Sequence, residues 1–192
     1  LIKVLSEDER LDEAIELYHE MIVDDISPDV VTFSTLMHAC GQSGQPERAD
    51  DIFEEMQELG VKPNDYTYNT LIKAFGDAGE PDRALEAYHE MQRAGVEPDE
   101  ITYTNLISAY YRADAYQRGI EALEDVSLPV DLVPLKAELY RKAGRRREAI
   151  ELCEAVLDSP EASEETRHHA WIVRLYCLLH DEPERFRELQ KR

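Results

Sequence analysis

Positions 30–64 read VVTFSTLMHACGQSGQPERADDIFEEMQELGVKPN, and positions 65–99 repeat that pattern as DYTYNTLIKAFGDAGEPDRALEAYHEMQRAGVEPD. A third copy opens at Glu100 with EITYTNLISAYYRA. Pro28, Pro63 and Pro98 keep the same 35-residue spacing, as do Met21, Met56 and Met91, and Ala14, Ala49 and Ala84. Self-similarity at a fixed period of this size marks a stacked repeat architecture, in which each unit buries its apolar face against its neighbours.

Within one period the apolar residues fall at steps of three and four, the helical pattern. Phe33, Leu36, Met37 and Cys40 make one such face, Tyr68, Leu71, Ile72 and Phe75 the next, and Tyr103, Leu106, Ile107 and Tyr110 a third. Gly44 and Gly79 follow as helix stop signals. Pro46 and Pro81 suit the first turn of a second helix, where a missing N–H costs little. That helix ends at Gly60 and Gly95, and GVKPN and GVEPD supply the next turn. Each period is therefore predicted to be a helix A followed by a helix B. Ala39, Ala74 and Ala109 on helix A, with Ala49 and Ala84 on helix B, leave room for close helix–helix approach.

The remaining chain fits the template less well. Residues 1–29 match a partial copy whose LIKVL aligns with the LMHAC that starts at Leu36. In the third copy, 100–129, Asp114 replaces the helix-ending Gly, Gly119 replaces the small Ala, and the connector shrinks to VSLP. A fourth copy, 130–160, has a degenerate helix A with Asp131 and Pro134 near its start. Residues 161–192 read as capping helices, over 164–180 and 183–191, as expected where a repeat stack ends.

Composition excludes some classes. The chain of 192 residues is 43% hydrophobic and 33% charged, which suits a soluble helical protein. No apolar run approaches the roughly 18 residues of a membrane span. The chain opens at Leu1 inside a repeat, without an initiator Met or a leader-like pattern, so sequence upstream of Leu1 is expected. Cys40, Cys153 and Cys177 are odd in number and far apart, which points to free buried thiols in a reducing compartment. A net charge of −21 disfavours attraction of the whole surface to nucleic acid or anionic membrane.

The copies at 30–64, 65–99 and 100–129 resemble the pentatricopeptide repeat of the 35-residue, P-type kind. The two intact copies carry its T-Y/F-x-T-L start and its GV-x-PN/PD end, and the third opens with the near match T-Y-T-N-L. The resemblance implies a right-handed α-solenoid of stacked helix-turn-helix repeats, all-α, with helix A lining a groove for single-stranded RNA, about one base per repeat. It implies that the fifth and last residues of a repeat read the base edge and that the second packs on the base face. Ser34 and Asn64 then resemble the adenine pair with Val31 as clamp, and Asn69 and Asp99 the uracil pair with Tyr66 as clamp. Thr104 implies a purine with Ile101 as clamp, its last-position partner falling in the altered VSLP connector. The implied ligand is a short A-U-purine-like element. No base is expected at the fourth copy, where Asp131 and Pro134 hold the clamp and reading positions. Ser34, Asn69 and Thr104 also admit a plainer reading, as polar residues that cap helix A or face solvent.

Charge is unevenly distributed. The helix A segments carry five Lys/Arg and five Asp/Glu, whereas the helix B segments sum to −15. Lys3, Lys73 and Arg112, with Arg141 and Lys142, are candidate phosphate contacts. The acidic helix B face reads either as an ordinary solvated surface or as a docking face for proteins.

Catalytic patterns are missing from the sequence. His19-Glu20 and His89-Glu90 echo one repeat position, and the adjacent His168 and His169 point to different helix faces. There is no H-E-x-x-H, CxxC pair, phosphate-binding loop or G-x-S-x-G. The expectation is a protein that is not an enzyme and uses no cofactor or metal. The resemblance implies an RNA-binding protein of mitochondrion or chloroplast, acting in RNA stability, processing or translation. The alternative is a structural protein-interaction subunit of a large organellar complex, such as a mitoribosome or plastid RNA polymerase.

Overall fold

A computed structural model describes Ile2 and residues 10–181. Lys3, most of the first LIKVL segment and the helix expected over 183–191 lie outside the described residues. Among the described residues there are ten α-helices, one short 3-10 turn and no strand. The all-α class expected from the sequence is the one observed. The chain forms two compact units, Leu1–Ala113 and Asp114–Arg192.

The first unit contains α1 (Leu11–Val23), α2 (Val30–Gln42), α3 (Pro46–Glu58), α4 (Asp65–Asp77), α5 (Pro81–Arg93) and α6 (Glu100–Arg112). The A helices α2, α4 and α6 pack side by side, and the B helices α3 and α5 each pack between their own A helix and the next. One aromatic step repeats along the stack. Tyr18 of α1 meets Phe33 of α2 edge-on, with centroids 5.5 Å apart, and Phe53 of α3 meets Tyr68 of α4 at 5.3 Å. Tyr88 of α5 meets Tyr103 of α6 at 6.1 Å. Arg83 crosses between B helices to Asp50 at 2.7 Å and lies over the Phe75 ring, 4.1 Å from its centroid. The Gly stops behave as the pattern requires: Gly44 and Gly79 have φ of +67° and +78°. Asp114 holds the same left-handed geometry at +52°, which a side chain tolerates less well.

The A helices approach each other through small residues. A Cβ built on Gly76 of α4 falls 2.9 Å from the Ala109 Cβ of α6, and one on Gly41 falls 3.1 Å from the Ala74 Cβ. Neither neighbour has a flexible end that can swing away. Gly76→Ala therefore sets helix propensity, worth up to about 1 kcal/mol in favour of Ala, against overpacking, which costs about 1–3 kcal/mol. The expected result is a net loss near 1 kcal/mol in urea unfolding, recovered by adding Ala109→Gly. A more stable single variant would mean that the seam is not close-packed.

The second unit contains α7 (Tyr116–Ala122), a 3-10 turn (Val130–Leu132), α8 (Val133–Lys142), α9 (Arg146–Asp158) and α10 (Glu164–Asp181). Its core gathers Ala137, Ala149, Cys153, Val156, Val173 and Cys177. Lys136 of α8 donates to the Leu123 carbonyl at the end of α7, at 2.6 Å, and burial pulls its pKa below the usual lysine value. Asp131 accepts from the Ser163 N–H at 3.4 Å and from the Thr166 hydroxyl, so it holds the start of α10. Pro134 is buried in the first turn of α8. All three cysteines are free and buried, and burial pushes Cys40 up to about 11 and Cys153 up to about 12. No helix among the described residues is long and apolar enough to cross a membrane.

Candidate nucleic-acid interface

Each A helix of the first unit displays an uncovered apolar side chain at its second position. Val31 is 64% exposed, Tyr66 53% and Ile101 59%. Scattered exposed apolar residues are ordinary on a protein surface. These three occupy one place on three neighbouring helices, so the repeat sets them in a row.

The residues before these helices are their N-caps. The Asp29 side chain accepts from the Thr32 N–H at 2.8 Å, Asn64 from the Thr67 N–H at 3.0 Å, and Asp99 from the Thr102 N–H at 2.8 Å. Asn64 and Asp99 belong to capping boxes, in which the Thr67 and Thr102 hydroxyls in turn accept from the cap backbone N–H. Hydrogen bonds from Thr32 hold the Asp29 carboxyl below the usual range. For Asp99, burial acts to raise the pKa, but the Thr102 N–H and the Asn69 amide among its donors outweigh burial and lower it. Asp99 is therefore an ionised cap.

The fifth-position residues lie deeper. Ser34 is 3% exposed and Asn69 7%, both in the seam between adjacent A helices. They neither cap a helix nor lie open to solvent, and each is held in the seam by hydrogen bonds. The Ser34 hydroxyl lies 3.2 Å from Thr67 Oγ1, which lies 2.9 Å from Asn64 Oδ1. Thr67 has one hydroxyl proton, and giving it to Asn64 makes Ser34 the donor to Thr67. Asn69 Nδ2 donates directly to Asp99 Oδ1 at 3.1 Å. Both pairs suggested by the resemblance are thus brought together, Asn69–Asp99 in contact and Ser34–Asn64 through Thr67. Thr104 is half-buried beside Ile101, Glu100 and Asn105, where these residues line an open recess of about 370 Å³.

Two threonines central to this network had no assigned part in the sequence reading. Thr67 and Thr102 are completely buried, each bridging two repeats. The available signal was the spacing Asn64-x-x-Thr67 and Asp99-x-x-Thr102, a capping-box pattern with a hydroxyl in the return position.

Two of the cationic candidates, Lys73 and Arg112, are partnered within the protein. Lys73 pairs with Asp77 one helical turn on, and Arg112 of α6 reaches the same carboxylate. Asp77 therefore offsets one of these two charges, and a phosphate would compete with it for both side chains.

The PPR repeat family matches residues 1–42, 28–77 and 66–112, and the PPR repeat matches residues 101–126. These spans cover more than half of the chain. The chain belongs to the PPR, or pentatricopeptide, repeat family. The tetratricopeptide repeat matches residues 135–166, where the PPR pattern has weakened. No curated protein matches the chain. Among solved structures it is similar to nuclear proteinaceous RNase P 2 of A. thaliana, with a TM-score of 0.69 and 19% identity over 90% of this chain and 40% of that one. It is also similar to the pentatricopeptide repeat protein PPR10 from maize, with a TM-score of 0.66 and 22% identity over 99% of this chain and 28% of that one. The PPR domain of A. thaliana protein-only RNase P 1, solved in complex with tRNA, gives a TM-score of 0.68 and 16% identity over 90% of this chain and 94% of that one. This PPR chain thus spans well under half the length of the first two proteins. The right-handed solenoid fold is common to them and to this chain.

Proposed function

We propose that this PPR chain binds single-stranded RNA along α2, α4 and α6, about one base per repeat. The observation that carries the reading is the row of Val31, Tyr66 and Ile101, each exposed at the helix start that also presents the reading residues. Apolar and aromatic side chains of this kind pack on base faces, a contact worth about 1–3 kcal/mol per base. Solved relatives of the same fold include PPR10 with an 18-nt psaJ RNA element and the RNase P 1 domain with tRNA, which supports RNA as the ligand class.

The network supports a particular complement to a base in each repeat. In repeat 30–64, with the Ser34 hydroxyl donating to Thr67 and the Asn64 oxygen on the cap, a hydroxyl acceptor and an amide donor are left for a base. That pair complements the amino donor and ring-nitrogen acceptor of adenine. In repeat 65–99 the second Asn69 amide proton is a donor and the second Asp99 carboxylate oxygen an acceptor. They complement the carbonyl and N3–H of uracil. A short serine leaves space for a purine, and the longer asparagine for a pyrimidine. With Thr104 next, the preferred element is A-U-purine.

The chain acts by occupying RNA in an organelle, in transcript stability, processing or translation, and performs no chemistry itself. The test is titration of short single-stranded RNAs containing A-U-A or A-U-G against scrambled controls. Exchanging Asn69→Ser together with Asp99→Asn is expected to change the preferred base from uracil to adenine at one position only. A uniform loss over all sequences would remove base reading from the proposal. A second reading, a subunit that binds proteins through the acidic B helices, is supported by the net charge of −21. It predicts co-purification with a large assembly that survives nuclease treatment.

A further inference from the structure

Asn69 is held from both ends. Its Nδ2 donates to Asp99 Oδ1 at 3.1 Å, and its Oδ1 accepts from the Thr102 hydroxyl at 2.7 Å. Thr102 stands in the next repeat, 33 positions on, and is completely buried. Its oxygen also accepts from the Asp99 N–H at 3.1 Å. Its proton has two oxygens in reach, Asn69 Oδ1 and, at 2.8 Å, Asp99 Oδ1. Asp99 Oδ1 already receives the Thr102 N–H and the Asn69 amide. The Asn69 oxygen has no other donor among the described hydrogen bonds, so the proton belongs there. The opposite amide orientation would set an amide oxygen against a carboxylate oxygen with no proton between them.

We infer that Thr102 is a positioning residue for base selection by the preceding repeat: its buried hydroxyl fixes the Asn69 amide with oxygen inward and N–H outward. The inference rests on the RNA-reading proposal and deepens it. The reading unit of repeat 65–99 then has three members, Asn69, Asp99 and Thr102, and the third touches no base. A donor facing the base suits the carbonyl edge of uracil and opposes the amino group of cytosine. Without the hydroxyl, the buried Asn69 oxygen has no donor. The turned amide, whose oxygen meets a cytosine amino group in the groove, then competes against the Asp99 contact alone. Thr67 is built into the repeat before, but there the partner is the Ser34 hydroxyl, which can rotate to either role. The device thus selects polarity only where the fifth residue is an amide.

The test uses the full chain and four RNAs that differ only at the base opposite repeat 65–99. Thr102→Val keeps the shape and removes the hydroxyl, and Thr102→Ser keeps the hydroxyl. The expected result for Thr102→Val is a fall of about three- to ten-fold in the uracil-over-cytosine ratio, the value of one hydrogen bond. Selectivity at the neighbouring position should not change, and Thr102→Ser should retain the ratio. An unchanged ratio with uniformly weaker binding would make Thr102 purely structural and overturn the inference while leaving RNA reading intact. No uracil preference in the unmodified chain would overturn both. Should Thr102→Val fail to fold, the side-chain amide protons of Asn69 in the unmodified protein decide the matter by NMR. One proton slow and one fast in exchange with solvent supports the fixed amide, and two equally fast protons overturn it.

Discussion

Asp99→Ala is expected to lower folding stability by about 2–4 kcal/mol, combining a lost N-cap with a buried amide left without its acceptor. Both effects have a defined origin. The carboxylate caps α6 through the Thr102 N–H, and it receives the amide of Asn69, which is 7% exposed. Asp99→Asn keeps an oxygen for the cap and should cost much less. It should also remove one acid-sensitive step. Because the folded-state pKa of Asp99 lies below its unfolded value, near 3.9 for an ordinary aspartate, the carboxylate contributes fully above that pH. The contribution is lost as pH falls through the depressed folded value. Urea unfolding at pH 7 and at a series of lower pH values, on the unmodified chain and both variants, measures this. If Asp99→Ala and Asp99→Asn are equally mild, the cap and the amide contact do not support the seam.

The 35-residue period made the fold legible because it records local events: a cap, a helical apolar face, a glycine stop and a proline start. Each occupies fewer than about fifteen residues and follows a short-range rule. The close approach of the A helices was legible for the same reason, in Ala74 and Ala109, although the facing Gly41 and Gly76 complete it. The polar network was not legible. Ser34 with Thr67 and Asn69 with Thr102 are 33 positions apart, and their meeting depends on how one helix lies on the next. The pairing of the groove charges was not legible for a related reason. Counting charge by helix finds Lys73 and Arg112 but not that Asp77 stands between them. Asp131 is similar: its sequence position marks an unsuitable clamp, and only the structure shows its hold on α10.

Tyr66→Ala should give the opposite signature to Asp99→Ala. Tyr66 is 53% exposed, and the backbone contact at this position, the Thr70 hydroxyl to the Tyr66 carbonyl at 2.8 Å, survives truncation. Alanine is also the better helix former. Folding stability should therefore change by less than about 0.5 kcal/mol. RNA affinity should fall by about 1–3 kcal/mol, or roughly 5- to 150-fold, because an aromatic face opposite one base is gone. Tyr66→Phe keeps that face and should retain most of the affinity. Filter binding or anisotropy against an A-U-purine RNA, with unfolding curves for the same preparations, measures both quantities. The pattern separates the two jobs at the start of α4: the buried side chains hold one repeat against the next, and the exposed one meets the ligand. A Tyr66→Ala variant that unfolds early, or binds RNA as well as the unmodified chain, would return Tyr66 to the ordinary surface and remove the row from the interface.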